Sequence, residues 1–180
     1  VTLVKDSDNI VATWSVDGLT FTQTVTLANT KSALHGMASI SYGVKSTDGR
    51  NADSVQARVM LDTALGYQDY AVYELTKKDS TYEQIQSETV IDNSDGEAYN
   101  NALFGYDNPK APSVTAYTVN ASINNKIVVP YQIAFGHWNN LASSVFDFEP
   151  DNSLTFTNPY NEKYLTADSA YALYFDMGSV

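Results

Sequence analysis

Apolar residues in this chain recur at every second position, in short runs divided by turn residues, so the pattern predicts strands. Residues 10–16 and 19–27 flank Asp17-Gly18, a pair suited to the two positive-φ positions of a type I′ hairpin. In the second run Leu19, Phe21, Val25 and Leu27 share one face. Thr20, Thr22, Thr24 and Thr26 take the other, which is expected to be solvated. Trp14 aligns with Ala12 and Val16 and reads as a core anchor more than a ligand platform. A polar loop over 28–34 leads to a third strand over 35–44, and Asp48-Gly49 lies in the next turn.

The run over 54–62 alternates through its whole length. Val55, Ala57, Val59 and Leu61 point one way, with Val55, Val59 and Leu61 predicted to be buried; Gln56, Arg58, Met60 and Asp62 point the other. The second face mixes Met60 with charges, so it is not plainly solvated. Arg58 there reads as a buried partner for a carboxylate. After Asp62, Gly66 permits a turn, and Tyr67, Asp69, Tyr70 and Tyr73 follow at once. A short strand is expected over 70–75.

From 76 to 112 the pattern weakens. Residues 83–91 fit a strand; 96–104 fit a short helix or a loop insertion. Further strands are expected over 114–119, 127–135, 154–157 and 169–175, with Pro130 marking a bulge or an edge. Residues 136–148 are the main helical candidate, with one or two turns starting at Asn139 or Asn140. The whole predicts an all-β protein, an antiparallel β-sandwich with at most one or two short helices. Without repeat, linker or low-complexity tract, residues 1–180 read as a single domain.

Composition agrees: 13 Tyr and many Thr, Ser and Val favour strands. A net charge of -11, with its ten basic residues scattered, excludes a nucleic-acid partner and disfavours anionic membranes. No apolar run approaches the roughly 20 residues of a membrane span. Cys is absent, so thiol chemistry and disulfides are excluded. The chain opens on Val1 without a signal-peptide pattern, which fits a module of a longer extracellular protein.

The candidate chemistry is sparse. Asp62 and Asp69 are two carboxylates near one loop, able to bond sugar hydroxyls, hold a cation or act as acid and base. The alternative is that Asp62 ends its strand or pairs with Arg58. His137-Trp138 follows a strand and a glycine. Its indole can stack on a pyranose while His137 and Asn139 bond hydroxyls; alternatively Trp138 plugs the space between sheets. Tyr67 and Tyr70 complete the candidate ligand-binding set of Asp62, Tyr67, Asp69, Tyr70, His137 and Trp138. His35 is the one other histidine, so a His-based metal site or triad is not expected. The acidic run 92–97 does not fit a calcium loop of the EF type. With Gly96 at the glycine position, Ile91 falls at the first ligand position and has no oxygen to give. No cofactor is expected. The acid-rich turns over 6–9 and 149–152 leave an irregular structural calcium ion as an open alternative.

Three segments carry a resemblance: 55–69, with its string R-x-M-L-D-T-x-L-G-x-x-D; 135–142, beginning Phe135-Gly136-His137-Trp138; and 166–174. In that order they resemble the galactose-mutarotase-type β-supersandwich regions of large secreted or wall-attached adhesin-type proteins of Gram-positive bacteria. The resemblance covers about a quarter of the chain. In that family the first string continues with small residues and Pro-Phe, whereas Tyr70 to Tyr73 follow it here. It implies a supersandwich fold and a secreted or cell-surface location, with neighbouring modules of the same chain as partners; it implies no activity.

Three functions fit. The first is a non-catalytic extracellular module that binds carbohydrate, a neutral glycan by its charge, or a cell-surface partner. The second is a structural spacer without a ligand. The third is a sugar-active lyase, epimerase or hydrolase on the same scaffold. Fold alone does not choose among them.

Overall fold

The computed structural model describes residues 1–6, 9–28, 36–49, 51–66, 71–77, 79–94, 99–108, 111–119, 129–156 and 168–180. Among them the protein is all-β, with three antiparallel four-stranded sheets and one short helix. No described helix is long and apolar enough to cross a membrane. The chain divides into two compact units, Val1–Val55 with Met177–Val180, and Gln56–Asp176.

The first unit is one sheet in the order β1(Thr2–Asp6), β2(Asn9–Val16), β3(Leu19–Ala28), β4(Met37–Ser46). The hairpin forms where Asp17-Gly18 places it. Val16 pairs with Leu19, and φ is 49° at Asp17 and 81° at Gly18. A Cβ at Gly18 would also strike the Asp48 carboxylate. Gly18→Val is therefore expected to cost about 1–2 kcal/mol, measured as a lower unfolding midpoint; an unchanged midpoint would refute the turn's role. Trp14 stacks on Phe21 across the hairpin, at 5.7 Å between centroids and 12° between planes. The threonine face of β3 is less wet than the alternation predicts. Thr20 is buried beside Ser15, their hydroxyls 2.9 Å apart.

The second unit holds two sheets, β10-β9-β6-β7 and β5-β12-β11-β8. The strands are β5(Gln56–Asp62), β6(Val72–Lys77), β7(Tyr82–Ile85), β8(Thr89–Asp92), β9(Tyr99–Tyr106), β10(Thr115–Val119), β11(Gln132–His137) and β12(Ser169–Asp176). Tyr73, Leu75 and Leu103 of one sheet and Ile133, Phe135, Tyr171 and Leu173 of the other form a shared core. Tyr73 lies at its centre, 5.4 Å from Phe135 and 5.5 Å from Tyr171 between ring centroids. Burial pushes its hydroxyl pKa up to about 12, so it stays protonated and donates to Ser169 O at 3.0 Å. Tyr73 is thus a core residue.

The other face of the β5-β12-β11-β8 sheet is covered too. The helix α1(Trp138–Ser143) and Phe148 pack there through Leu141 on Ala134, Ala170, Ala172 and Tyr174, with Met60 at the margin. Both faces being covered explains why the inner strands β11 and β12 are buried almost throughout.

Several boundaries differ from the sequence pattern. Residues 99–106 form β9, a strand where a helix or loop was expected, because β6 and β10 pair with it from either side. The expected strand over 83–91 is two strands in different sheets, β7 and β8. The strand expected over 154–157 is a single bridge from Thr155 to Ser87. The helix begins at Trp138, one residue before the earlier of its expected starts. Val55 is buried as predicted, but Val59 and Leu61 are only half-buried, since β5 is an edge strand.

Candidate functional site

The three segments that carry the resemblance meet in one sheet. β12 lies between β5 and β11 and is antiparallel to both, so β5 and β11 run parallel and end at the same sheet edge. Asp62 and Gly136 both register with Ala170, which sets the three in one row. Two strand spacings then separate the Asp62 and Gly136 backbones, about 10 Å. His137 pairs with Ser169 in the next row. Asp62 is exposed and, alternating with Met60, lies on the face that α1 covers.

A buried carboxylate builds the rest. Glu88 is wholly inaccessible to solvent. Its Oε1 accepts the His137 backbone N–H at 2.9 Å, and the Asn140 side-chain amide donates to it at 3.0 Å. His137 Nδ1 lies 3.1 Å from the same oxygen. Oε2 accepts the Asp151 N–H at 2.9 Å. His137 is the N-cap of α1 and makes no side-chain cap bond to the helix, so Glu88 fixes the helix start from outside. The shared acceptor places the imidazole proton on Nδ1 and leaves Nε2 as the other ring nitrogen. Gly136 is required here: a Cβ would lie 2.8 Å from Phe148 Cζ and 3.5 Å from Glu88 Oε1.

Arg58 fixes the other end of the helix. It was expected to partner a carboxylate; instead its guanidinium donates to Leu141 O at 2.6 Å and Ser144 O at 3.3 Å. Nε donates to the Tyr174 hydroxyl at 3.0 Å. A cation at the last carbonyls of a helix satisfies acceptors that the helix cannot. The arginine of the R-x-M-L-D string therefore holds the helix of the His137-Trp138 segment.

Trp138 sits on this mount as the first residue of α1. Its N–H donates to Asp168 O at 2.7 Å, and its side chain is 37% exposed. It does not plug the space between sheets. Tyr67, Asp69 and Tyr70 lie outside the described residues. The residue after them, Ala71, accepts a bond from Ser169 Oγ at 2.9 Å, and Ser169 is the strand partner of His137. Ala71 thus lies at the same sheet end as His137.

Other acids serve turns. Asp151 Oδ1 accepts from the Ser153 N–H at 2.9 Å and from its hydroxyl at 2.6 Å. Asp92 accepts from the Ser94 N–H, and these bonds hold both carboxyls below the ordinary value. Among the described residues no three His, Asp or Glu side chains converge as a metal site would need. Glu88, Asp168 and Ser169 escaped the site prediction. Glu88 interrupts what reads as one strand, where an acid suggests a solvent-facing position, and nothing local marks it as the junction between two sheets. No protein-family model, curated protein or solved structure matches the chain, so the reading of this site rests on its geometry.

Proposed function

We propose that this chain is a non-catalytic extracellular module that binds a neutral carbohydrate at the sheet end around Trp138. The observation that carries the reading is the mounting of Trp138. A half-exposed indole stands on a short helix held at one end by Glu88 and at the other by Arg58. An aromatic surface held this firmly loses little entropy on stacking against a sugar ring. His137 precedes it in the chain, and Asp62 ends β5 at the same sheet end, on the face that α1 covers. The net charge of -11 disfavours anionic glycans.

The spacer reading has one observation in its favour. The carboxylate of Glu88 and the guanidinium of Arg58 are spent on the fold itself. An enzyme would need a second reacting group beside His137; among the described residues its ring bonds to Glu88 alone.

Trp138→Ala tests the proposal. On a glycan array and in calorimetry against the best hit, the variant is expected to lose binding at least 100-fold. Because the indole is half-exposed, Tm is expected to fall by no more than about 4 °C. Unchanged affinity, or an array on which the parent chain binds nothing, would sink the site and favour the spacer.

A further inference from the structure

We propose that two copies of this chain associate by stacking the apolar faces of their β1-β2-β3-β4 sheets. The pairing registers put Leu3, Ile10, Val16, Phe21, Leu27 and Ile40 on one face of that sheet, around the Trp14–Phe21 stack. Among these Leu3, Ile10, Val16, Leu27 and Ile40 are 46–70% exposed. The opposite face is mainly Thr and Ser, with Thr22, Thr24, Ser39 and Ser41 at its middle, and carries Val4, Val11 and Met37 besides. A sheet with one apolar face must lay it on another layer.

A second copy fits that layer in charge, in polarity and in area. Among the described residues of its strands the face carries one charged side chain, Lys5, on edge strand β1. Two chains of net charge -11 can therefore meet here without opposing their carboxylates. Its central polar side chains bond to each other: Gln23 donates to the Tyr42 hydroxyl at 2.6 Å. Covering them leaves that bond intact. Strands about 4.8 Å apart and about 3.4 Å per residue, with five residues in β1, eight in β2 and ten each in β3 and β4, give a footprint of roughly 540 Å². Side-chain relief raises the accessible area above that footprint, to the roughly 600–1,000 Å² that each partner of a stable pair contributes. The edges of the sheet are less suited to pairing, since β1 and β4 carry Lys5 and Lys45. Stacking face to face, about 10 Å apart, is the geometry of a β-sandwich.

Sedimentation equilibrium of the full chain from 1 to 200 µM is the test. The parent is expected to double its mass from 19.7 kDa across that range. Its dissociation constant is expected to fall several-fold between 0.05 and 0.5 M salt, because salt screens the repulsion between two acidic chains. Leu27→Lys, at a position already 70% exposed, is expected to stay monomeric with an unchanged circular-dichroism spectrum. Ser41→Lys, on the other face, is expected to dimerise as the parent does. A parent that is monomeric throughout would overturn the proposal. So would a dimer that persists in Leu27→Lys, or one lost equally in Ser41→Lys.

Discussion

Glu88→Ala is expected to destabilise the second unit by about 3–5 kcal/mol. The truncation removes the one acceptor that serves the His137 N–H, the Asn140 amide and the Asp151 N–H. The donors that face this buried carboxylate lose their acceptor, and an imidazole proton on Nδ1 loses it with them. Removing one partner of a buried charged network is costly for this reason. Glu88→Gln keeps the volume and one acceptor but turns an NH₂ toward N–H donors, so it is expected to cost about 1–3 kcal/mol. Urea unfolding of parent and both variants separates the outcomes. A loss below about 1 kcal/mol for Glu88→Ala would mean that the carboxylate is not the node of the helix start.

The same residues show what the sequence could reveal. The Asp17-Gly18 hairpin was legible because a positive φ at both turn positions is a local requirement that few residue pairs meet. The two-faced character of β5 was legible from its period of two: Leu61 packs on one core and Met60 on the other. Its place in the sheet was not, since alternation describes a strand's faces and says nothing of its neighbours. The central strand is β12, whose near-continuous apolar run Ala170 to Phe175 reflects cover on both sides. β9 stayed hidden because Asn100 and Asn101 are poor strand formers, and its pairing with β6 and β10 is a long-range contact.

The candidate site was legible in the same partial way. Asp62, His137 and Trp138 could be placed at strand ends from the chain alone. That they share one sheet end depends on β12, which is contributed by residues more than thirty positions beyond Trp138. In one dimension Glu88 looks like a surface charge and Arg58 like the buried partner of a carboxylate. They become the supports of a helix only when β8 and β5 flank the strands between them.

Arg58→Ala is expected to cost about 2–3 kcal/mol, because it removes charge-assisted bonds to Leu141 O and Ser144 O and the bond to the Tyr174 hydroxyl. The guanidinium also lies 5.6 Å from the Tyr174 ring centre, a contact that contributes about 0.5–1 kcal/mol. Arg58→Lys retains the charge but not the fork that reaches two carbonyls and a hydroxyl together, so it is expected to recover less than half of the loss. The double variant decides whether the two ends of α1 act as one device. Once Glu88→Ala has released the helix start, the carbonyls at its far end are no longer held against β5, and Arg58 has less to lose. The combined loss is therefore expected to fall short of the sum of the single losses by at least about 1 kcal/mol. Full additivity would show that each residue stabilises its own end of the helix independently. Coupling together with loss of sugar binding in either single variant would tie the mounting of Trp138 to its proposed use.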